Sequence, residues 1–229
     1  MYFPWIGLLE QIRLCDVYVH LDDVQFARGF INRVQIKTAK GLQWMTIPIE
    51  DLHRGQRIAD LRTCETEPWR RKHLDLVQRA VAGAPFADDA VRLCRSVLDQ
   101  PTDKLANLVI ASIQALCDYF EIGPRPLDRR SSSLGIEGGS WQRLLAIAKH
   151  FESDVYASGL GGRNYICHET FDHAGVRVEY MRYLKTAYTQ LHGTFTPFVS
   201  SLDLVANMGR AGRELISSST VYWKDYPDE

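Results

Sequence analysis

Segments of strand character and segments of helix character alternate along this chain, and that alternation constrains the fold more than any single motif. Apolar residues Ile6, Leu8, Leu9, Ile12 and Leu14 mark a first helical face. The β-branched and aromatic run Asp16 to Leu21 reads as a strand ending at Asp22-Asp23. Asn32 to Lys37 leads into a second strand, Lys40-Gly41 supplies a turn, and Gln43 to Ile49 is a third extended run. From Glu67 the pattern is helical to Leu98, broken near Gly83-Ala84-Pro85, and resumes from Thr102 to Phe120 until Gly123-Pro124 stops it. A second unit follows: helix Ser140 to His150, strand Asp154 to Ala157, a glycine loop, a helical turn Glu169 to His173 and a strand Val176 to Tyr180. Past Tyr188 the chain is irregular until Leu202 to Met208, and the last ten residues read as a polar, aromatic tail.

Interleaving of this kind predicts a layered α/β fold, with a Rossmann-like, mostly parallel sheet and a helical insertion over about 67–122. All 229 residues fit one such domain. A net charge of −1 provides no field for a nucleic-acid backbone, so nucleic acid is not the expected partner. No apolar run approaches the ~20 residues of a membrane span, and the start lacks a secretory h-region. The five cysteines are scattered with no CxxC pair, which argues against a zinc knuckle and for a reducing, cytoplasmic setting.

In parallel sheets ligands bind beyond the carboxyl ends of the strands. That rule singles out Asp22 and Asp23 as a base, a hydroxyl anchor or a metal ligand, against the plainer reading of carboxylates that cap a loop. Gln25 follows them. Asn32 and Arg33 make an anion clamp or a surface ion pair. Ser158-Gly159-Leu160-Gly161-Gly162, with Arg163 and Tyr165 behind it, offers backbone N–H groups to an anion or is simply a tight turn. It is neither a Walker A loop nor a GxGxxG fingerprint. Trp69 and His73 share a helix face and line a pocket or pack together. Tyr188-Thr189-Gln190 suits a pocket wall. Cys167-His168 is no nucleophile pair, because adjacent residues rarely face each other. The motifs name no cofactor and no metal site.

In order and spacing, the words Tyr2-Phe3-Pro4-Trp5-Ile6-Gly7, Leu21-Asp22-Asp23-Val24-Gln25-Phe26, Ile31-Asn32-Arg33 with Ile36-Lys37-Thr38, Trp69 with Lys72-His73, the serines before Leu134, Ser158 to Gly162 with Tyr165, Tyr188 to Gln190, Phe195-Thr196-Pro197 and Ser201 to Leu204 resemble the WbqC-like family along nearly the whole chain. Members usually open with a short strand and a His-Gln-Pro element before the first of these words. This chain begins inside that word, which leads us to expect either a start placed upstream or the loss of a first strand.

The resemblance implies a transferase of bacterial surface-polysaccharide (O-antigen) or specialised-metabolite synthesis, such as one moving an acyl or aminoacyl group to an activated amino sugar. Its partner would be a small molecule, a nucleotide sugar or a carrier-bound acyl group. Asp22, Asp23, Asn32 and Arg33 would carry the chemistry, with Gln25, Trp69, His73, Ser158, Gly161, Gly162, Tyr165 and Gln190 around the substrate. Two alternatives stay open. The opening also resembles nucleotidylyltransferase-type folds, and a non-catalytic sugar-nucleotide binding module fits the same residues.

Overall fold

Helix α4 (Leu105–Phe120) is apolar on nearly every side, with eleven of its sixteen residues buried, and a helix of that kind belongs at the centre of a core. The computed structural model describes residues 1–227, and around α4 it arranges six further α-helices and two small sheets. Helix α1 (Ile6–Arg13), α2 (Trp69–Val81), α3 (Ala87–Leu98) and α7 (Ser201–Met208) join α4 in the main core. Gly83, with φ +91°, and Pro85 separate α2 from α3 at the expected break. Thr102, where the helical pattern resumes in the sequence, lies just upstream of α4, and its hydroxyl accepts the Lys104 N–H at 3.2 Å.

Strands β1 (Arg33–Thr38) and β2 (Gly41–Thr46) form an antiparallel hairpin, closed where Gly41 takes φ +94°. Val34, Ile36 and Met45 face the main core. A second apolar cluster gathers α5 (Ser140–His150), α6 (His168–His173) and β4 (Arg177–Arg182) around Leu144, Phe171, Val178 and Tyr180. Here β3 (Val155–Ser158) runs parallel to β4, and β5 (Ser219–Tyr222) pairs antiparallel on the other side of β4.

Among the named strands, the parallel pairing expected of a Rossmann-like sheet is therefore confined to β3–β4, and beyond it lie only the single parallel bridges His20–Arg130 and Gln35–Val199 among the described residues. Two departures explain this. The run Asp16 to Leu21 makes one bridge, His20 to Arg130, because the chain beside it is the short loop 127–131, not a strand. The polar, aromatic tail opens with β5, a strand its composition did not announce, and that strand pairs antiparallel. No helix among the described residues is long and apolar enough to cross a membrane.

Candidate functional site

Three groups of polar side chains gather residues that are far apart in the chain. In the first, Asp22 is buried, and its carboxylate accepts the Ser132 N–H at 3.0 Å and the Ser132 hydroxyl at 2.8 Å. Asp23 accepts the Ser131 hydroxyl at 2.5 Å and a two-point bond from Arg143 on α5. These bonds, led by that of Arg143, hold the Asp23 carboxyl below its ordinary pKa. The pair thus closes the 131–133 turn onto α5, with its lone pairs facing protein donors. Gln25 stands exposed nearby, in a bridge to Arg57.

Asn32 ties the hairpin to its exit, donating to the Ile47 carbonyl at 2.8 Å and accepting the Ile47 N–H through its own carbonyl. Arg33 points away from it, donating to Gly29 O at 3.0 Å and stacking 4.4 Å over Trp44. Trp69 and His73 meet edge to face in the core. The Thr46 carbonyl can only accept, so His73 Nε2 carries the proton and Nδ1 accepts the Tyr2 hydroxyl at 3.1 Å. Burial pushes His73 down to about 4.

The second group is a clamp on the irregular stretch after Tyr188. Buried Lys37 gives its donors to Gln190 Oε1 and to the carbonyls of Gly193 and Thr194. Gln190 also accepts the Thr196 N–H and donates to the Thr196 carbonyl and the Tyr188 hydroxyl. Tyr188 in turn donates to Asp203 at 2.8 Å, whose pKa burial raises. Gln190 thereby fixes the backbone between Phe195 and Pro197.

Phe195 and Pro197 are one wall of the third group, a cleft at the carboxyl end of the β3–β4 pair. Trp5 at the start of α1, Ile6, Gly7 and Glu10 on it, Lys185 and Thr186 beyond β4, and Leu215 complete it, around room for about one water molecule. Helix α1 is seated there by Gln11, which donates to the Ala157 carbonyl of β3 at 2.9 Å. Gly7 is required, because a Cβ on it would lie 2.2 Å from the Trp5 ring. That ring packs 5.0 Å from Tyr183, which burial pushes up to about 12. Glu10 is only 3% exposed, and burial raises its pKa above the ordinary 4.5. Ser217 and Ser218 beside the carboxyl partly offset that rise, and Leu184 N–H donates to the Ser218 hydroxyl at 3.0 Å.

The glycine loop lies at this end of the sheet but is built differently from an anion nest. Leu160–Asn164 is a 3₁₀ turn, none of Gly159, Gly161 and Gly162 has positive φ, and the Gly162 N–H is spent on Gly159 O. Buried Ser158 donates to its neighbour's carbonyl, Gly161 is exposed, and Tyr165 is 49% exposed. Cys167 and His168 do not engage each other: the thiol meets Thr170 and the imidazole meets Tyr180.

Sequence reasoning missed Glu10 and Lys185. The signal for Glu10 was an acid three and four residues from Gly7 and Ile6, on the face of α1 that carries its apolar residues.

A family model for the WbqC-like protein family matches residues 1–214. The chain is similar to an uncharacterized protein, Rv1507c, of Mycobacterium tuberculosis (strain ATCC 25618 / H37Rv), at 32% identity over 212 residues, covering 91% of this chain and 90% of that protein. No solved structure matches.

Proposed function

The chain belongs to the WbqC-like protein family, and on that premise we propose that it is a cytoplasmic transferase that passes a small acyl or aminoacyl group to an amine, such as an amino sugar of a bacterial surface polysaccharide or specialised metabolite. The observation that carries the proposal is Glu10: a buried carboxyl, its pKa raised, on the wall of a cleft beyond the carboxyl ends of parallel strands. A base is most effective when its pKa approaches the working pH, and burial moves Glu10 in that direction.

In the step we envisage, the acceptor nitrogen attacks the acyl carbon. The C–N bond forms, the bond to the donor's carrier breaks, and the proton lost by nitrogen passes to Glu10. The cleft has room for about one water molecule as it stands, so it would open to admit the transferred group, with carrier and sugar outside. Asp22, Asp23 and Arg143 would hold α5 in place, and Gln190 the Phe195–Pro197 wall.

The test is turnover of coenzyme A thioesters and other activated acyl donors with amino-sugar nucleotides, followed by mass spectrometry of the acceptor. Glu10→Gln is expected to lower kcat by about 10²–10⁴ while the fold persists. Unchanged turnover in that variant would sink the assignment. Ligand binding with no product under every donor would favour a sugar-nucleotide binding module.

A further inference from the structure

We propose that this chain pairs with a second copy of itself along the outer edge of β2, with Leu42 and Trp44 of one copy antiparallel to Trp44 and Leu42 of the other.

In an antiparallel hairpin the N–H and C=O of a residue both point at the partner strand or both point away, and the sense alternates along the strand. Two bonds fix that sense here. Asn32 O accepts the Ile47 N–H at 2.8 Å between the strands, and on the far side of β1 Gln35 O accepts the Ser200 N–H at 2.9 Å. Gln35 stands opposite Trp44, so Trp44, and with it Leu42 and Thr46, turn their backbone groups away from β1. From Thr46 onward this outer edge is closed. The Thr46 carbonyl accepts from His73 at 3.1 Å, Pro48 O accepts the Cys64 N–H at 2.9 Å, and the Glu50 N–H donates to Arg62 O at 3.0 Å. Leu42 and Trp44 remain, and among the described residues no hydrogen bond from outside the hairpin reaches the backbone of either.

The open stretch also lacks the devices that keep exposed strands apart. Gly41–Thr46 carries no charge and no proline, and its register with β1 runs without a bulge. Leu42 and Trp44 are 47% and 43% exposed on one face, and Phe30, 51% exposed, extends the apolar strip with its ring 5.9 Å from that of Trp44.

The shortness of the edge selects its occupant. The turn at Lys40 ends it on one side and His73 closes it on the other, so a long strand from another protein could pair over little of its length. A second copy is equally short. With a twofold axis at Gln43, both open residues of each copy exchange N–H···O bonds, and each Leu42 lies across from a Trp44. Centring the axis on Leu42 would set Trp44 against Lys40 of the turn, and centring it on Trp44 would set Leu42 against the Thr46 carbonyl that His73 already holds. No like charges meet in the favoured register. So short an edge buries less than the ~800 Å² per partner of a standard interface, and the dimer is accordingly weak, with Kd on the order of 10–100 µM.

The experiment is sedimentation velocity on the full chain from about 1 µM to about 1 mM, a range that brackets that Kd. The dimer fraction should rise with concentration. Leu42→Pro removes an outward N–H that β1 does not use, and should raise Kd by at least about tenfold. A second measurement leaves the edge backbone intact. Gln43→Cys puts two thiols on the axis with Cα atoms ~4.5 Å apart, within disulfide reach, whereas Leu42→Cys leaves its two beyond ~7 Å. Under mild oxidation Gln43→Cys should form a covalent dimer well above the background set by the parent's own cysteines, and Leu42→Cys should not. A parent that stays monomeric throughout, a Leu42→Pro dimer as tight as the parent's, or equal crosslinking at 42 and 43 would each overturn the inference. The first of these would leave the edge to a strand of another protein.

Discussion

Asp23 and Arg143 lie 120 positions apart and meet in a two-point ion pair, Nη1–Oδ1 at 2.9 Å and Nη2–Oδ2 at 2.5 Å, with the side chains only 15% and 11% exposed. A buried pair is weak support for stability as a pair, but breaking it strands a charge. Arg143→Ala is therefore expected to cost about 3–5 kcal/mol, and Arg143→Lys to recover little, because lysine cannot bond both oxygens at once. The Asp23 carboxyl is held below its ordinary 3.8, mainly by the Arg143 hydrogen bonds. Its contribution is thus present above pH 3.8 and lost as pH falls through the lower folded value. Urea unfolding of both proteins should show a gap that closes in strong acid; a gap independent of pH would contradict the pairing.

His73 gives the acid side of the stability curve a second component. Its pKa falls from 6.5 to about 4 because burial disfavours the imidazolium. The stability gained from burying a neutral ring is complete above pH 6.5 and is lost as pH falls toward about 4, on the order of 3 kcal/mol in all. His73→Gln should flatten the unfolding free energy across that window. Nitrogen NMR should find the Nε2–H tautomer; an Nδ1–H ring would refute the bond to Thr46.

How much of this was legible in the sequence depends on whether a residue's partner is local. Helix α5 begins and ends where its pattern predicts, at Ser140 and His150, because spacing and flanking glycines are properties of the segment itself. The run Asp16 to Leu21 has strand composition but only one bridging partner, His20 with Arg130, and composition says nothing about partners. Asp22 and the serines were each visible as polar words, yet nothing in the sequence shows that they saturate one another. Glu10 was hidden for the same reason. Its neighbours are Ser217 and Ser218, some two hundred residues away, and cleft walls built by the 185–197 stretch.

The glycine loop makes a contrast between neighbours. A Cβ on Gly162 would lie 2.4 Å from Ser158 Oγ and 2.9 Å from Ile166 Cδ1, whereas one on Gly161 meets nothing within 4 Å. Neither residue has positive φ, so packing alone decides. Gly162→Ala is expected to cost about 1–3 kcal/mol, and Gly161→Ala to be neutral or slightly stabilising. Thermal midpoints of the two variants check this directly. Equal effects would mean the loop's glycines serve something other than close packing.

Glu10 and Asp203 act on stability in the sense opposite to Asp23. Burial raises both carboxyls above their ordinary 4.5 and 3.8. Each therefore favours the fold fully below its unfolded value, and that support is lost as pH rises through the folded one. Glu10→Gln and Asp203→Asn should each lose less stability than the parent as pH rises from acid toward neutrality. Unfolding free energies measured across that range settle the sign; parallel curves would show that neither carboxyl is perturbed.

Gln190 tests whether the cleft wall is held or merely adjacent. Its amide oxygen accepts from Lys37 and from Thr196 N–H, both at 3.0 Å, and its amide nitrogen donates to the Tyr188 hydroxyl at 3.0 Å and the Thr196 carbonyl at 3.1 Å. Gln190→Leu keeps the bulk of the side chain but leaves those groups unpaired, at about 1–3 kcal/mol for each one that water cannot reach. Because two of them flank Phe195 and Pro197, the loss should be local before it is global. The Thr196 amide should exchange its hydrogen faster than the amides of α4, and KM for the donor should rise by a larger factor than kcat falls. Gln190→Glu separates charge from geometry. It keeps an acceptor for Lys37 but removes both donors, so it should restore the overall stability better than the Thr196 protection. If exchange at Thr196 matches the parent in both variants, Pro197 and its neighbours hold the wall unaided, and Gln190 serves only to accept a hydrogen bond from the buried Lys37.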